Sequence, residues 1–236
     1  LSGCDMVFLC TPAAGAIQLL GELIPCLKAQ CIVTDTASTK SEIISYVESL
    51  SRDIHFVGGH PMAGSEKSGY GASRSHLFEN AYYILTPCKK TSPEVLGVVR
   101  DMVSRFGSIP ILLDPQEHDT VTAVISHVPH ILAAALVIAA RDLDSDKHYM
   151  HTLAAGGFKD ITRISSSSPE MWQSVVFTNK EHIKSAVSYL TQLLSQVLES
   201  MERGDESYVY RFFADARDYR NTFSSAMEGP IEPLYE

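Results

Sequence analysis

The residues best suited to chemistry lie in one short stretch, residues 58–69, Gly-Gly-His-Pro-Met-Ala-Gly-Ser-Glu-Lys-Ser-Gly. It follows the apolar run Ile54-His55-Phe56-Val57. The sequence therefore predicts a strand entering a glycine-punctuated loop at the end of a sheet, where α/β proteins keep their sites. Glycine permits close backbone approach to a ligand, and histidine exchanges a proton most readily near neutral pH. His60 is accordingly the candidate general base. Ser65 and Glu66 either bind ligand or cap the turn that follows. Thr34-Asp35-Thr36-Ala37-Ser38-Thr39-Lys40 follows another apolar run and opens a helix. Ser38 is then a helix cap or, at a strand end beside the loop of His60, a second member of the site.

Two further patches carry polar chemistry. In Ser126-His127-Val128-Pro129-His130 the two histidines stand three apart and share a helical face, within an apolar stretch. A metal site would need a third ligand, and neither an HExxH pattern nor an acidic partner accompanies them. Hydrogen bonding to a buried ligand suits them better, and Asp119, two helical turns before His127, is expected on the same side. The other patch runs from Asp160 through Arg163 and a serine run to Trp172, the only tryptophan. Arg163 is a surface arginine or a clamp, since guanidinium presents a fork that matches a carboxylate. Trp172 is a core residue or a pocket lid.

The elements that must position these groups alternate at first. Strands are predicted over residues 6–10, 31–35, 55–57, 81–86 and 108–113, with helices over 13–28, 39–50 and 92–106, the last capped by Ser92 with Pro93 following. This alternation predicts a parallel sheet with helices on its faces. After Asp114-Pro115 the strands stop. Helices are predicted over 116–142, with a kink at Pro129, then 144–154, from Pro169, over 179–201 and over 205–222, with a loop at Gly156-Gly157-Phe158. The helical half has more apolar surface than a monomer needs, so a homodimer through it is expected.

Bulk properties narrow the function classes. The chain has 236 residues, a formal charge of −9 and 45% hydrophobic residues, enough for one large or two modest domains. The acidic balance argues against nucleic-acid binding, and an anionic substrate must be held by a few local cations. Five cysteines without CxxC spacing suit a reducing, cytoplasmic compartment. The one continuous apolar segment, residues 131–140, is short for a bilayer and is expected as a buried helix, with no membrane contact. The chain opens at Leu1 directly on a strand, so a preceding segment is expected, and Gly229-Pro230-Ile231-Glu232-Pro233 is linker-like. No Gly-x-Gly-x-x-Gly turn occurs.

Residues 35–40, 58–69, 126–130 and 156–172, in that order across both halves, resemble the prephenate dehydrogenase family of the two-domain bacterial type. The resemblance implies an α/β Rossmann-type nucleotide-binding domain, partial here, over residues 1–113. It implies an all-α substrate and dimerisation domain over 114–225, with 226–236 as linker or tail. It further implies NAD-dependent oxidative decarboxylation of prephenate to 4-hydroxyphenylpyruvate, in tyrosine biosynthesis. By the same resemblance His60 takes the proton of the ring hydroxyl, Ser38 orients that hydroxyl, and Arg163 binds a substrate carboxylate. His127 and His130 would line the pocket, and Ser65, Glu66, Asp119, Asp160 and Trp172 would surround it. Thr11 and Pro12, with Ser38, would lie near the nicotinamide. The alternatives are an arogenate dehydrogenase, whose substrate differs by an amino group, and a non-catalytic ligand-binding or dimerisation fragment without its cofactor half.

Overall fold

The structure is a computed structural model that describes residues 1–64 and 69–224. Five strands form one sheet in the order β1 (Met6–Leu9), β2 (Ile32–Asp35), β3 (His55–Pro61), β4 (Tyr82–Pro87) and β5 (Ile109–Leu112). β1, β2 and β3 run parallel, as do β4 and β5. The β3–β4 pair is antiparallel, with His60 opposite Ile84, so the expected parallel sheet is a mixed one. A parallel return needs a crossover, usually a helix, and the described residues between β3 and β4 hold only a 3-10 turn at Tyr70–Ala72.

Helices α1 (Ala13–Leu23) and α2 (Ser41–Ser49) cover one face, where Leu9, Ala16, Leu20, Val33, Ile43, Val47 and Phe56 form a buried cluster. Helix α3 (Pro93–Arg105) covers the other, packing Val95, Val99 and Val103 on Val57, Tyr83 and Leu85. Phe56 and Val57 enter opposite clusters because successive strand side chains alternate faces. The Ser92 hydroxyl caps α3 by accepting from the Val95 N–H, with Pro93 at the first position, as the sequence predicts.

Residues 58–61, expected in a loop, continue β3 instead. The two glycines answer a packing demand, not a ligand. A Cβ on Gly59 would lie 2.5 Å from the Asp35 carbonyl oxygen, and one on Gly58 would meet the Thr86 hydroxyl.

Beyond the sheet, α4 (Pro115–Thr122) and α5 (Val128–Asp142) are joined by a π-helical turn, Ala123–His127. Pro129, at the second residue of α5, has no N–H to offer the preceding turn, and the wider turn absorbs the mismatch: the Val128 N–H reaches the Ala123 carbonyl. The extra residue rotates the following helical face by about 100°. Together these pieces make a 28-residue helix, Pro115–Asp142, long and apolar enough to cross a bilayer, so the argument from shortness does not hold. Nor is residues 131–140 a buried helix: Leu132, Leu136, Val137 and Ile138 are exposed, with Ala133 buried. The helix buries its polar residues His118, Asp119, Thr122 and His127 instead.

Helices α6 (Tyr149–Leu153), α7 (Gly156–Thr162) and α8 (Pro169–Thr178) follow. The loop expected at residues 156–158 is the first turn of α7. The long α9 (Lys180–Arg203) and α10 (Glu206–Asn221) complete the described chain. Residues 1–183 pack as one compact unit and those from 184 as another. Within the latter, Asp205 caps α10 at the Tyr208 N–H and the Tyr208 hydroxyl donates to Gln196. The linker expected at 226–236 lies outside the described residues.

Candidate active site

His60, next to last in β3, has 9% of its surface exposed and lines a cavity of about 480 Å³. Ser38 and Thr36, from the β2–α2 connection, line the same cavity, with Phe8, Cys10 and Tyr83 among its walls. The sequence thus brings Ser38 and His60 to one surface. Ser38 does not cap α2, which begins at Ser41 behind Lys40.

Behind His60 lies a group the sequence reading passed over. His60 Nδ1 is 2.8 Å from His118 Nε2, and His118 Nδ1 is 2.7 Å from Asp119 Oδ1. His118 and Asp119 are fully buried. The Asp119 carboxylate also accepts the backbone N–H groups of Lys40 and Ser41, each at 2.8 Å, and so caps α2 from a distant helix. It therefore stands behind His60, not in the cavity. Burial depresses the affinity of His60 for a proton well below the ordinary range, and the neighbouring His118 adds to this. Burial likewise lowers His118, against the pull of Asp119. Asp119 is held below the usual carboxylate range by its hydrogen bonds from His118 and Ser41, which outweigh its burial. Both imidazoles are thus neutral and Asp119 is ionised near neutral pH.

A buried ion pair fixes the strand ends that carry this array. Lys40 Nζ contacts the Asp35 carboxylate, both side chains fully buried, and donates to the Gly59 carbonyl at 2.7 Å. Asp35 in turn accepts from the Ala37 N–H at 2.9 Å and the Gly59 N–H at 3.1 Å. One carboxylate and one ammonium group therefore tie the end of β2 to the residue before His60.

A second polar cluster lies along the helix. Asn179 donates through Nδ2 to the Asp119 carbonyl at 2.7 Å, an acceptor that fixes the amide's orientation. The same nitrogen lies 3.1 Å from His127 Nδ1. His127 Nδ1 is therefore the acceptor, and its proton sits on Nε2. Burial pushes His127 down to about 4, so it is neutral. Its Nε2 is buried without a partner among the described residues, as is Trp172 Nε1. The two rings meet edge-on with centroids 6.0 Å apart, while Trp172 stacks on His130 at 3.8 Å. Trp172 and His130 line a smaller cavity of about 230 Å³ with Ile164, Ser165 and Ser167. Two neighbouring buried donors without an acceptor among the described residues are suited to a ligand's acceptor oxygens.

The remaining candidates are not drawn in equally. Arg163, the first residue of a 3-10 turn, and Asp160 on α7 are exposed and line neither of these two cavities. Ser65 and Glu66 lie outside the described residues. Pro12 is the residue before α1, and the adjacent Thr11 Oγ1 is buried without a partner among the described residues. Besides His118, the sequence reading missed Asn179. No local signal marked either residue, since His118 and Asp119 stand in the polar run Gln116-Glu117-His118-Asp119-Thr120 and their burial comes from distant partners.

A mostly parallel α/β sheet with its polar groups at the strand ends, followed by helices, defines a Rossmann-type nucleotide-binding architecture joined to a helical one. Residues 1–112 match the nucleotide-binding domain of prephenate dehydrogenase, and residues 114–215 match its dimerization domain. The chain belongs to the prephenate dehydrogenase family. It is 37% identical to the prephenate dehydrogenase of Bacillus subtilis over 98% of its own length and 62% of that protein's, so it spans less than two thirds of that relative. Among solved structures it resembles prephenate dehydrogenase from A. aeolicus in complex with hydroxyphenyl propionate and NAD+, at 32% identity and a TM-score of 0.86 over 93% of this chain and 77% of that one. It also resembles Synechocystis arogenate dehydrogenase, at 31% identity and a TM-score of 0.80 over 94% and 80%.

Proposed function

We propose that this protein carries out the oxidative decarboxylation of prephenate to 4-hydroxyphenylpyruvate with NAD, in tyrosine biosynthesis. The observation that carries the reading is His60, a neutral histidine that lines one cavity with Ser38, in a chain of this family. A relative of known structure binds NAD+ and hydroxyphenyl propionate, which supports the assignment of cofactor and substrate class.

The cavity fits the nicotinamide end of the cofactor. Phe8, Cys10 and Tyr83 give it apolar walls, and next to Cys10 in the chain the Thr11 hydroxyl, outside the lining, is buried without a partner among the described residues. Thr11, Pro12 and Ser38 would hold that end, and when bound the nicotinamide accepts a hydride. This sequence contains no Gly-x-Gly-x-x-Gly turn of the kind that cradles a pyrophosphate.

His60 accepts the proton of the ring hydroxyl, which favours loss of hydride from the same carbon. Ser38 orients that hydroxyl. As carbon dioxide leaves, the electron pair of its bond to the ring completes the aromatic system, and His60 returns the proton to the same oxygen. The reaction releases no net proton, so one neutral histidine suffices. Arg163, exposed and outside both cavities, is assigned a substrate carboxylate on the family resemblance alone, and the His127 and Trp172 N–H groups, without a partner among the described residues, donate to substrate oxygens beside His130. Asp119 supports the site from behind, through His118.

The protein is further proposed to act as a cytoplasmic homodimer. Exposed Leu132, Leu136, Val137 and Ile138 on α5 support a partner surface, as, separately, do Leu194, Leu198 and Met201 on α9 and the dimerization-domain match.

The deciding experiment incubates the protein with prephenate and NAD and follows reduced nicotinamide together with 4-hydroxyphenylpyruvate. Both should form in equal amounts, and formation of neither overturns the reading. The likeness to an arogenate dehydrogenase sustains a second reading, and faster turnover of arogenate than of prephenate in the same assay would select it.

A further inference from the structure

We infer that His118, itself held by Asp119, is a positioning residue that sets the tautomer of His60, leaving the lone pair of the base on Nε2. The inference rests on the reading of His60 as the base and adds to it the group that orients it.

The ionised Asp119 carboxylate has no proton to give, and its oxygens already take the Lys40 and Ser41 N–H groups. A neutral His118 at 2.7 Å from Oδ1 must therefore donate through Nδ1. A neutral imidazole carries one proton, so His118 Nε2 holds a lone pair. Across 2.8 Å it faces His60 Nδ1, and that contact is a hydrogen bond only if His60 Nδ1 carries the proton. The lone pair of His60 is then on Nε2, the nitrogen not committed to His118. A chain of two neutral rings and one carboxylate has a single proton arrangement that satisfies both bonds.

The geometry also fixes the ring. His60 is the penultimate residue of β3, paired opposite Ile84, and the two imidazoles meet edge-on at 68° with centroids 5.1 Å apart. His118 cannot swing away, since its own ring is fully buried and bonded at both nitrogens. When His60 gains a proton at Nε2 the new charge stays where it forms. The Nδ1 proton need not move, because its acceptor, His118 Nε2, already points at it and Asp119 lies one ring beyond. The groups facing His60 and His118 are Lys40 and Asp35 from the β2–α2 connection, Asp119 on α4 and His127 in the π-turn, and all are buried.

The experiment compares the unaltered protein with His118→Phe, which removes both bonds, and His118→Gln, whose side-chain carbonyl can still accept from His60 Nδ1. Nitrogen-15 spectra of histidine-labelled protein, with His60 assigned by the signals lost in His60→Asn, read the tautomer without any need for turnover. The inference expects a protonated Nδ1 and an unprotonated Nε2 on His60 in the unaltered protein, and loss of that pattern in His118→Phe. It also expects His118→Phe to lower kcat by roughly 100-fold, the scale of a mispositioned base, and His118→Gln to recover part of this. A His60 protonated on Nε2 in the unaltered protein overturns the inference. So does full turnover by a folded His118→Phe that has lost the pattern. If instead His60→Asn itself leaves turnover unchanged, the base assignment fails, and the spectra still report separately whether His118 sets the tautomer.

Discussion

At the scale of single residues, the chemistry depends on which nitrogen of each histidine carries a proton, and the surroundings decide this in every case. His60, His118 and His127 each have one nitrogen committed to a buried partner. What differs is the other nitrogen. In His118 it is engaged by His60; in His127 it is a buried donor left over, next to the equally unpartnered Trp172 N–H. A buried polar atom without a partner costs about 1–3 kcal/mol, a cost that a bound ligand can offset. Trp172→Phe keeps an aromatic face on His130 and removes the orphan. The substitution should leave the fold as stable or more stable, as denaturant titration would register, while weakening substrate binding by roughly 10-fold in KM, about one lost hydrogen bond. A variant with lower stability and unaltered KM would mean that the indole N–H serves the fold alone.

At the scale of elements, the polar residues that support the site are those that hold strand and helix ends together. The Asp35–Lys40 pair bridges β2 to β3, and Asp119 on α4 caps α2. Lys40→Met would leave the Asp35 carboxylate buried with only backbone donors, and should destabilise the protein by about 3–5 kcal/mol in denaturant unfolding. Adding Asp35→Asn should recover part of the loss by removing the uncompensated charge, and a double variant no better than the single one would locate the penalty elsewhere. Much of this layer was readable from sequence. Alternating apolar runs predicted every strand, and Ser92-Pro93 marked the start of α3. What escaped had a non-local cause. Gly58 and Gly59 look like a loop, yet they continue β3 because Asp35 and Thr86 leave no room for a Cβ. His118 was hidden because its importance lies in a bond to a residue 58 positions away. The Pro129 kink was expected, but the sequence did not show that it would be absorbed by a π-turn ending on His127.

At the scale of the whole molecule, three neutral histidines in the interior make the folded state sensitive to acid. Burial is the first cause of the lowered proton affinity of His60, His118 and His127 alike. In the unfolded chain each titrates near the ordinary value of about 6.5. Because the folded values lie lower, the unfolded chain takes up protons first as the pH drops. The stability is thus fully present above about pH 6.5 and is lost as the pH falls toward the folded values. For His127 the window runs from about 6.5 down to about 4, worth roughly 3 kcal/mol at its lower end. Asp119 acts in the same direction, but only below the ordinary carboxylate range near 4, so the histidines give way first. Denaturant midpoints measured from neutral pH down to about pH 5 should therefore fall, well before the carboxylates titrate. His127→Gln, which keeps a polar side chain beside Asn179 and has no proton to gain, should flatten part of that slope. An unchanged slope in this variant would remove His127 from the account and leave the acid sensitivity to the His60–His118 pair.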